Sequence, residues 1–586
     1  MRCTFLYCYM KYFIIVFLFI FGYGGFQSQE KLTKDTFFKP EKSANPEQAE
    51  KIKHNHSDKF GVEKDKYSGN PFFSGNVNFS HNGSVLTADE VVLYSEENFV
   101  KAYGNVKLQN ADGSVITADE MEYDGNTERG IARKNVVLTD PKQTITTDIL
   151  YYDRKSNQAY FNTGGTITDN QGSKMYTNTA TYDVNSKVID FTGNVRIDNP
   201  QYTVEGANIK QNQLTNIAYF SGATTIYDKA NPRNRLYTEQ GHFNQNTNEV
   251  FLNKNSIIYY NSKKLTGDKL YFNRSTGYGT GKGNVTLDDP NENRYIKGGY
   301  GEIYQKKDSA MITGKPYAVK ILTNDTMYFS AERFISFQKP DSVNPYKKKS
   351  FLRAYKKARF FKSNAQGRAD SLAFNETDGV LHLFDKPILW SGEKQITGDK
   401  IEAYFDTANE HIDSLKVIGN AFAISKSDSL NNKDEFDQVK GRYMLVEYQN
   451  NDIKQAKVIG NAQAITYADD VNKKTNQKER IGITLSTCGE IDANFEERRV
   501  QIISCNIGAN METYPMSLIS KEKRFFPDFN WNTRDRLIKW QDIFLDTPNY
   551  SPKTYESDDS LYNQAQEEIK KQKAEEEAKK PKRIKR

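Results

Sequence analysis

The segment Thr87–Tyr94 reads Thr-Ala-Asp-Glu-Val-Val-Leu-Tyr and is followed, after a short acidic turn, by Ala-Tyr-Gly-Asn-Val at Ala102–Val106. Nearly the same sequence returns as Thr-Ala-Asp-Glu-Met-Glu-Tyr at Thr117–Tyr123, with Ala-Arg-Lys-Asn-Val at Ala132–Val136 after it. A unit that recurs this closely is typical of repeat architectures, and the repeat therefore decides the fold prediction.

Two columns of residues carry the repeat at a period of about 30 residues. The first is a Gly-Asn-Val strand start, which stands at Gly75–Val77, Gly104–Val106, Gly193–Val195 and Gly283–Val285. The second is an acidic or amide residue, which stands at Asp89, Asp119, Asp148, Asn178, Asn208, Asp268 and Asp399. One Asp per unit is too sparse for a calcium-binding β-roll, so we expect this column to bond to the backbone at turns or strand edges.

Large apolar residues follow each acidic position in steps of two, which places them on one face of a strand. Helical periodicity is absent from the repeats, and turns rich in Asn, Asp and Gly separate the strands. The sequence therefore predicts an all-β, elongated array of stacked units, in which neighbours bury each other's inward columns. The inward candidates of the first units are Val77, Phe79, Val91, Leu93, Val106, Leu108, Met121, Tyr123, Val136, Leu138, Leu150 and Tyr152. Whether these columns fill a core or line an apolar trough stays open.

The pattern divides the chain into segments. We expect a signal peptide at 1–28, a polar flexible leader at 29–70, a first β array at 71–335, a basic linker or loop at 336–370, a second array at 371–510, and an aromatic cap with a charged, helical tail at 511–586. The aromatic cluster at 525–531 can cap the end of the array or dock a partner, and the cap is the favoured interpretation.

The first 28 residues combine basic residues, an apolar run of about ten residues and small residues, which is typical of a secretory signal peptide. An uncleaved anchor is the alternative. In an exported chain, Cys488 and Cys505 are a candidate disulfide, with two reduced thiols as the alternative.

Motifs for nucleotide binding, metal hydrolysis or nucleophilic catalysis are absent from the sequence, so we expect no enzyme, no metal site and no cofactor. The 81 basic and 75 acidic residues are spread along the chain, giving a net charge of +6, and this does not indicate nucleic-acid binding. A surface or groove is the expected functional element.

At Gly104–Val106 and Thr117–Asp119 the repeat resembles the OstA-like family, which includes the periplasmic lipopolysaccharide-transport protein LptA and the N-terminal domain of LptD. The resemblance covers about residues 71–330 well and 371–510 more loosely, as in large members from Bacteroidota-type bacteria. It implies a β-jellyroll stacked into an open trough, the β-taco, and a periplasmic protein that shields lipopolysaccharide acyl chains during transport.

By this resemblance the inward candidates named above would face lipid. Unpaired strands at the ends of the array would pair with other lipopolysaccharide-transport proteins or head to tail with a second copy. The alternative function is an exported structural or adhesive β-solenoid that binds a protein or glycan on its outer face.

Overall fold

The structure is a computed structural model that describes residues 50–407, 411–427, 435–450, 452–471, 478–496 and 499–544. They form two compact units, one ending at Thr163 and the other beginning at Gly164. The regular structure of both units is antiparallel β, so the all-β prediction is confirmed. Short 3-10 turns are the helical segments of the described chain, at Tyr67–Gly69, Pro290–Glu292, Gln305–Lys307, Glu522–Arg524 and Trp540–Phe544. The predicted signal peptide, the leader up to residue 49 and the predicted helical tail after residue 544 lie outside the described residues.

The first unit contains nine strands. They are β1 (Lys53–His56), β2 (Lys59–Gly61), β3 (Phe72–His81), β4 (Ser84–Tyr94), β5 (Phe99–Gln109), β6 (Val115–Asp124), β7 (Arg129–Thr139), β8 (Gln143–Asp153) and β9 (Gln158–Phe161). From β3 to β9 each strand pairs with the next in sequence, so this region is a meander of long hairpins.

Bulges in β3, β5 and β7 divide these strands, and the strands paired with them, into two halves. In the pairing of β4 with β5, Gly104 and Asn105 together stand opposite Asp89 alone. The halves that precede the Gly-Asn bulge of a strand, with their cross-strand partners, form one sheet, here called wall A. The halves that follow it form a second sheet, wall B. Because bulges bend a strand and increase its twist, the chain can turn from one wall into the other at this point.

The bulge has a fixed chemistry. Gly104 and Asn105 both have positive φ, 71° and 46°, a conformation that Gly and Asn adopt most readily. Asn105 Nδ2 donates a hydrogen bond of 2.9 Å to Asp89 Oδ2. The same Asn-to-Asp bond recurs at Asn76–Asp58, Asn135–Asp119, Asn284–Asp268 and Asn420–Asp399. At these five positions the acidic residue thus has a scaffolding role, with the bulge amide as its side-chain partner. At Asn208 the partner is the backbone, because Asn208 Nδ2 donates to Ser221 O over 3.1 Å.

Gly104 is sterically required as well as conformationally favoured. A Cβ atom at this position would lie 2.4 Å from Asp89 Oδ2. Gly113 offers a matched comparison, because it also has positive φ, but a Cβ atom there would have nothing within 4 Å.

We expect Gly104→Ala to lower the local opening free energy of the β4–β5 amides by about 1–3 kcal/mol, because backbone strain adds to the clash with Asp89. Native-state hydrogen exchange measures this quantity residue by residue. Gly113→Ala, which introduces strain without the clash, should cost less at its own turn. Equal losses at the two sites would show that the Asp89 contact is unimportant.

The N-terminal part of the first unit differs from the prediction of a flexible leader over 29–70. Strands β1 and β2 pair with the two halves of β3, and Asp58 donates its backbone N–H to Gly75 O over 2.8 Å. Residues 53–61 are therefore a further repeat unit whose acidic residue is Asp58. The sequence did not reveal it because Lys53–His56 are all exposed and show no apolar alternation.

The second unit begins with β10 (Gly165–Asp169) and contains 29 strands. The strands up to residue 340 are β11 (Lys174–Thr177), β12 (Thr179–Asp183), β13 (Val188–Asp198), β14 (Tyr202–Asn212), β15 (Ile217–Asp228), β16 (Arg235–Asn244), β17 (Glu249–Lys254), β18 (Ser256–Tyr260), β19 (Lys263–Gly267), β20 (Lys269–Asn273), β21 (Tyr278–Asp289), β22 (Arg294–Tyr304), β23 (Ser309–Thr313), β24 (Tyr317–Ile321), β25 (Thr326–Ser330) and β26 (Arg333–Pro340). The strands after them are β27 (Lys348–Lys362), β28 (Ala365–Asn375), β29 (Val380–Phe384), β30 (Ile388–Ser391), β31 (Lys394–Thr397), β32 (Lys400–Asp406), β33 (His411–Lys426), β34 (Phe436–Gln449), β35 (Asp452–Val471), β36 (Lys478–Glu496), β37 (Arg499–Asn506) and β38 (Asn510–Pro515).

The prediction of a basic linker or loop at 336–370 is wrong. Strands β26, β27 and β28 pair with one another there, and Leu352 and Ala354 are buried on the inward face. Lys356 and Lys357 occupy the bulge with φ of 61° and 53°, in place of the usual Gly-Asn. The basic residues hid the repeat because they stand at the bulge and on the outer face of otherwise regular strands.

Residues 516–544, here called the strap, run back over the outer face of wall B in the second unit. Ile519 packs on Ile465 and Ile483, and further along the strap Leu537 and Ile543 pack with Tyr317 and Val319. Four aromatic residues between these two points cover β33 and β34: Phe525, Phe526, Phe529 and Trp531. The aromatic cluster therefore lies along the sheet, which differs from the end cap that the sequence favoured.

Polar contacts fix the middle of the strap. Trp390 Nε1 donates to Asn532 O over 3.1 Å, and Gln395 bonds both Asn530 O and the backbone N–H of Asn532. Between Tyr317 and Ile483 the outside of wall B is consequently covered by a segment distant in sequence.

Candidate functional site

The inward columns of the first unit lie between walls A and B. Eleven of the twelve candidates are buried: Val77, Phe79, Val91, Val106, Leu108, Met121, Tyr123, Val136, Leu138, Leu150 and Tyr152. Leu93 is half-buried. The structure thus brings the predicted residues to one interior.

The two walls pack on each other through these side chains. Phe73 of wall A meets Phe79 of wall B edge to face, with ring centroids 5.2 Å apart. The interior holds a small cavity of about 20 Å³, lined by residues that include Phe79, Leu108 and Tyr123. A space of this size is near that of one water molecule. In this structure the columns therefore fill the interior with their own side chains.

The mouth of the first unit is the side opposite the bulges, where the turns 82–83 and 110–113 of wall B approach the turns 95–98, 125–128 and 154–157 of wall A. Side chains join the walls here. His81 Nδ1 lies 3.0 Å from the Tyr123 hydroxyl. Arg154 forms an ion pair of 3.0 Å with Glu128 and donates to Asn82 O across the mouth. The mouth is thus closed by a few polar contacts rather than by backbone pairing.

The chain preceding β1 also crosses this mouth. The Glu50 carbonyl accepts a hydrogen bond from Asn98 Nδ2 of wall A over 3.2 Å, and it lies 2.8 Å from His81 Nε2 of wall B. Ile52, buried beside them, donates its backbone N–H to Asn98 Oδ1 over 2.9 Å. Nothing in the sequence indicated this contact, because the segment is polar and lacks the repeat pattern.

The second unit has the same two-walled interior. Tyr202 of wall B meets Phe243 of wall A with ring centroids 5.3 Å apart, and Phe243, Leu252, Leu287 and Ile303 are buried. Between residues 260 and 376 its mouth is closed by buried charges.

Among the described residues three ion pairs cross the mouth of the second unit, and one of them joins Lys320 of wall B to Glu376 of wall A over 3.6 Å. Lys263 of wall B lies 3.2 Å from Asp308 of wall A. Arg294 of wall B lies 3.1 Å from Glu376 of wall A, and Asp289 accepts a second contact of 3.1 Å from Arg294. The side chains of Arg294 and Glu376 are 1% and 0% exposed, so this pair is screened from water.

The electrostatics of this network reflect its burial. Burial raises the pKa of the Glu376 carboxyl, although the charges of Arg294 and Lys320 act in the opposite direction. Burial also acts to raise the pKa of Asp308, but the hydrogen bond from Lys348 and the charge of Lys263 outweigh it and lower that pKa. A buried carboxylate of this kind depends on its cations to remain charged.

Sequence reasoning missed these residues, although the alignment of repeats contains a signal. The position two residues before the first inward residue of wall B is Ser84 in β4 and Ser114 before β6. In β19 and β22 it is Lys263 and Arg294. The change from serine to a basic residue at this repeat position indicates a buried ion pair only when the position is known to be buried. The sequence alone does not show that it is.

We expect Glu376→Gln to destabilise the second unit by about 2–3 kcal/mol, because Arg294 then keeps only Asp289 as a close anionic partner. Denaturant unfolding combined with hydrogen exchange in β22 and β28 measures the loss. Glu332→Gln is the matched control, since Glu332 pairs with Lys357 at the surface and side-chain exposures there are 51% and 67%. The control should cost less than about 1 kcal/mol. If the two variants lose equal stability, the buried pair does not hold the mouth closed.

Near the last strands, Cys488 and Cys505 form a disulfide with a Cα–Cα distance of 5.8 Å. Cys488 ends the wall B half of β36, and Cys505 is in β37, which pairs with the wall A half. The bond therefore joins the two walls close to the bulge.

The described residues contain no group of three or more His, Cys, Asp or Glu side chains placed to hold a metal ion. Within the same residues no helix has the length and apolar character needed to span a bilayer.

Residues 49–206 and 170–268 match the family described as OstA-like protein. The resemblance drawn from the repeat is confirmed over this region. The matched region begins at residue 49 and so includes the repeat unit built on Asp58. None of the curated proteins matches this chain.

Among solved structures, the chain is similar to the crystal structure of LptH, the LptA-homologous periplasmic component of the conserved lipopolysaccharide transport device from Pseudomonas aeruginosa. The identity is 14% and the TM-score is 0.19, with 26% of this chain and 95% of that chain covered.

Proposed function

We propose that this chain is a periplasmic, non-enzymatic carrier of lipopolysaccharide or a related lipid, which holds acyl chains between walls A and B. The observation that carries the proposal is the arrangement of the walls: each repeat places apolar residues on both inner faces, and the mouth of each unit is closed by side chains. The match of residues 49–268 to the OstA-like family supports it.

The physical task of such a carrier is simple. An acyl chain in water costs about 0.8 kcal/mol per CH₂ group, and an apolar interior removes this cost without any covalent chemistry. The inward residues of the first unit, such as Val106, Met121 and Leu150, supply that surface.

Because the interior is filled in this structure, lipid must enter by parting the walls. In the first unit parting them at the mouth breaks the Arg154–Asn82 and His81–Tyr123 contacts. These few polar contacts can be replaced by water, whereas the apolar surface that is uncovered needs the lipid chain to cover it. At the mouth, water and lipid can therefore replace the contacts that are lost when the walls part. At the bulges they cannot, because the walls are joined there by the covalent chain.

Partners would join at free strand edges. In the described residues β37 and β38 pair only with β36, and Val500, Ile502 and Met511 on them are 48%, 59% and 59% exposed. An exposed apolar strand is a template for pairing with another chain. We propose that another transport protein, or a second copy of this chain, adds its strands here.

A photo-crosslinking amino acid at Val106 or Leu150 should capture lipopolysaccharide in cells, because both positions face the interior. The same probe at Lys107, which neighbours Val106 but is exposed on the outer face, is the matched control and should capture none. Capture at Lys107 with none at the inner positions would refute the proposal.

Depletion of the protein should leave lipopolysaccharide at the inner membrane, and normal delivery to the surface would count strongly against transport.

Entry through the mouth has its own test. Cysteines at Asn82 and Glu128, whose side chains are 3.1 Å apart, can be joined by a short cleavable bis-maleimide in a chain whose Cys3 and Cys8 are replaced by serine. The joined protein should lose lipid binding in its first unit and regain it after cleavage. Binding that survives the cross-link, measured by capture at Val106, would show that lipid does not enter there.

The alternative function, binding of a glycan or protein on the outer face, is favoured by one observation. A row of rings crosses four strands of the second unit outside wall A, with centroid distances of 5.8 Å for Tyr219–His242, 4.7 Å for His242–Phe251 and 5.2 Å for Phe251–Tyr271. Tyr219 and Phe251 are 47% and 36% exposed. Crosslinkers on this row that capture a partner, with lipid absent from the interior, would favour the alternative.

A further inference from the structure

One repeat position brings charged side chains to the mouth in both units. It is the first residue of the turn that ends a wall A strand half, and it is charged at Arg154, Arg274 and Glu376. In all three its backbone N–H donates to a carbonyl earlier in the chain, at Glu128, Asn248 and Ser350, over 2.9–3.0 Å. The backbone of this position is therefore held in the same way each time.

Two of these side chains meet an opposite charge. Arg154 pairs with Glu128 at 3.0 Å, and Glu376 pairs with Arg294 at 3.1 Å. The charges of Arg154 and Glu376 are therefore paired within the protein.

Arg274 is different. Its guanidinium carbon lies 4.7 Å from the centroid of the Tyr202 ring of wall B and 5.8 Å from that of the Phe243 ring of wall A. Within the described part of the chain, no carboxylate oxygen lies within 4.0 Å of it. Burial lowers the pKa of Arg274, and the charge of Asp228 acts in the opposite direction. An arginine keeps its charge under such conditions, so a cation is fixed between two aromatic rings at the mouth without a close anion.

A cavity of about 30 Å³ opens beside this side chain, and its lining includes Arg274, Asn234 and Gln305. Asn234 Oδ1 accepts the backbone N–H of Asn261 over 3.1 Å, which leaves its amide N–H₂ as a donor. Asp228 also lines the cavity, but its Oδ1 accepts the backbone N–H of Ala230 over 2.9 Å and holds its own turn. Arg235, whose guanidinium carbon lies 3.9 Å from the centroid of the Tyr259 ring, lines the cavity as well. Two guanidinium groups, two carboxamides and one carboxylate thus border one space.

We propose that this cavity, the Arg274 pocket, binds a phosphate group of a lipid whose acyl chains lie between the walls of the second unit. The proposal rests on the proposed function and adds where the headgroup is held. The guanidinium offers two parallel N–H donors in the geometry that a phosphate accepts. The cavity has room for a water-sized group, so one phosphoryl oxygen enters it while the rest of the headgroup stays outside the mouth.

The placement explains why the cation is held on rings. Cation–π contacts with Tyr202 and Phe243 hold the guanidinium at the border between the apolar interior and water without using its N–H donors. A carboxylate at the same distance would neutralise the site before a ligand arrived.

The test compares lipid A that carries its phosphates with the same lipid after removal of the phosphates, using the full chain and equilibrium binding. Arg274→Gln should weaken binding of the phosphorylated lipid about tenfold, the factor that corresponds to about 1.4 kcal/mol, and should leave binding of the dephosphorylated lipid unchanged. Arg274→Lys keeps the positive charge but loses the two parallel N–H donors of the guanidinium, and it should give an intermediate loss of affinity for the phosphorylated lipid. Arg233→Gln, an exposed arginine on the neighbouring turn, is the matched control and should change neither affinity.

The outcomes are distinct. Equal affinity losses for the two lipids, or no loss, overturn the Arg274 pocket while leaving the carrier proposal intact. If the wild-type chain binds neither lipid, the carrier proposal fails, and the Arg274 pocket as a lipid site fails with it. Titration with inorganic phosphate distinguishes a lipid phosphate from free phosphate as the ligand. If the chain binds the two lipids equally but binds inorganic phosphate in an Arg274-dependent way, the site belongs to free phosphate instead. A lower thermal midpoint in Arg274→Gln than in Arg233→Gln, together with equal losses for both lipids, would show a purely structural role.

Discussion

The contact between a bulge amide and the carboxylate of the preceding strand is the constraint on which the rest of the structure depends. Without a defined bend, strands of ten or eleven residues would continue as one sheet with one wet and one dry face. Gly104 and Asn105 adopt positive φ, and Asn105 bonds to Asp89, so the bend falls at the same place in successive strands. Inward residues on the two sides of the bend then face each other, and two walls share one apolar interior.

This geometry makes the two sides of each unit unequal. At the bulges the walls are joined by the covalent chain in every strand, and near the last strands also by the disulfide between Cys488 and Cys505. At the mouth they are joined by side-chain contacts and, in the first unit, also by the Glu50 carbonyl, which contacts Asn98 of wall A and His81 of wall B. In the first unit these include the contact of His81 with Tyr123, and in the second they include the buried pair of Arg294 with Glu376. Removing two charges from water is expensive, and a buried pair often contributes little net stability compared with apolar packing. The contribution of the pair at the mouth is to specificity, because it determines which positions of the two walls come into contact.

The repeat allowed the all-β fold, the family and the common burial of the inward column to be predicted from the sequence, because Gly-Asn bulges and steps of two are local signals. The errors arose where the same backbone role is played by other residues. Lys356 and Lys357 take the bulge conformation in place of Gly-Asn, so the strands around them were taken for a linker. Asp58 takes the acidic position in a unit whose other residues are exposed, so that unit was taken for a leader. Tyr317 and Val319 point out of wall B, where the strap covers them, and no local pattern distinguishes a covered outer face from an inner one. The strap and the Arg294–Glu376 pair depend on contacts between residues far apart in the chain.

A filled interior and a carrier function are compatible only if the filled state is close in free energy to an opened one. The inward residues of the first unit are mostly aliphatic, with few aromatic side chains, and they meet across the interior without hydrogen bonds between them. Such contacts are exchangeable: an acyl chain that enters can replace wall-to-wall contacts by wall-to-lipid contacts of the same kind, at similar apolar area buried. Backbone pairing within each wall is untouched by this exchange, because every strand half keeps its neighbours in its own sheet. What limits opening is then the set of polar groups at the mouth, which must find water or a ligand as the walls part. The two-walled repeat thus separates the part of the fold that must stay intact from the part that can yield.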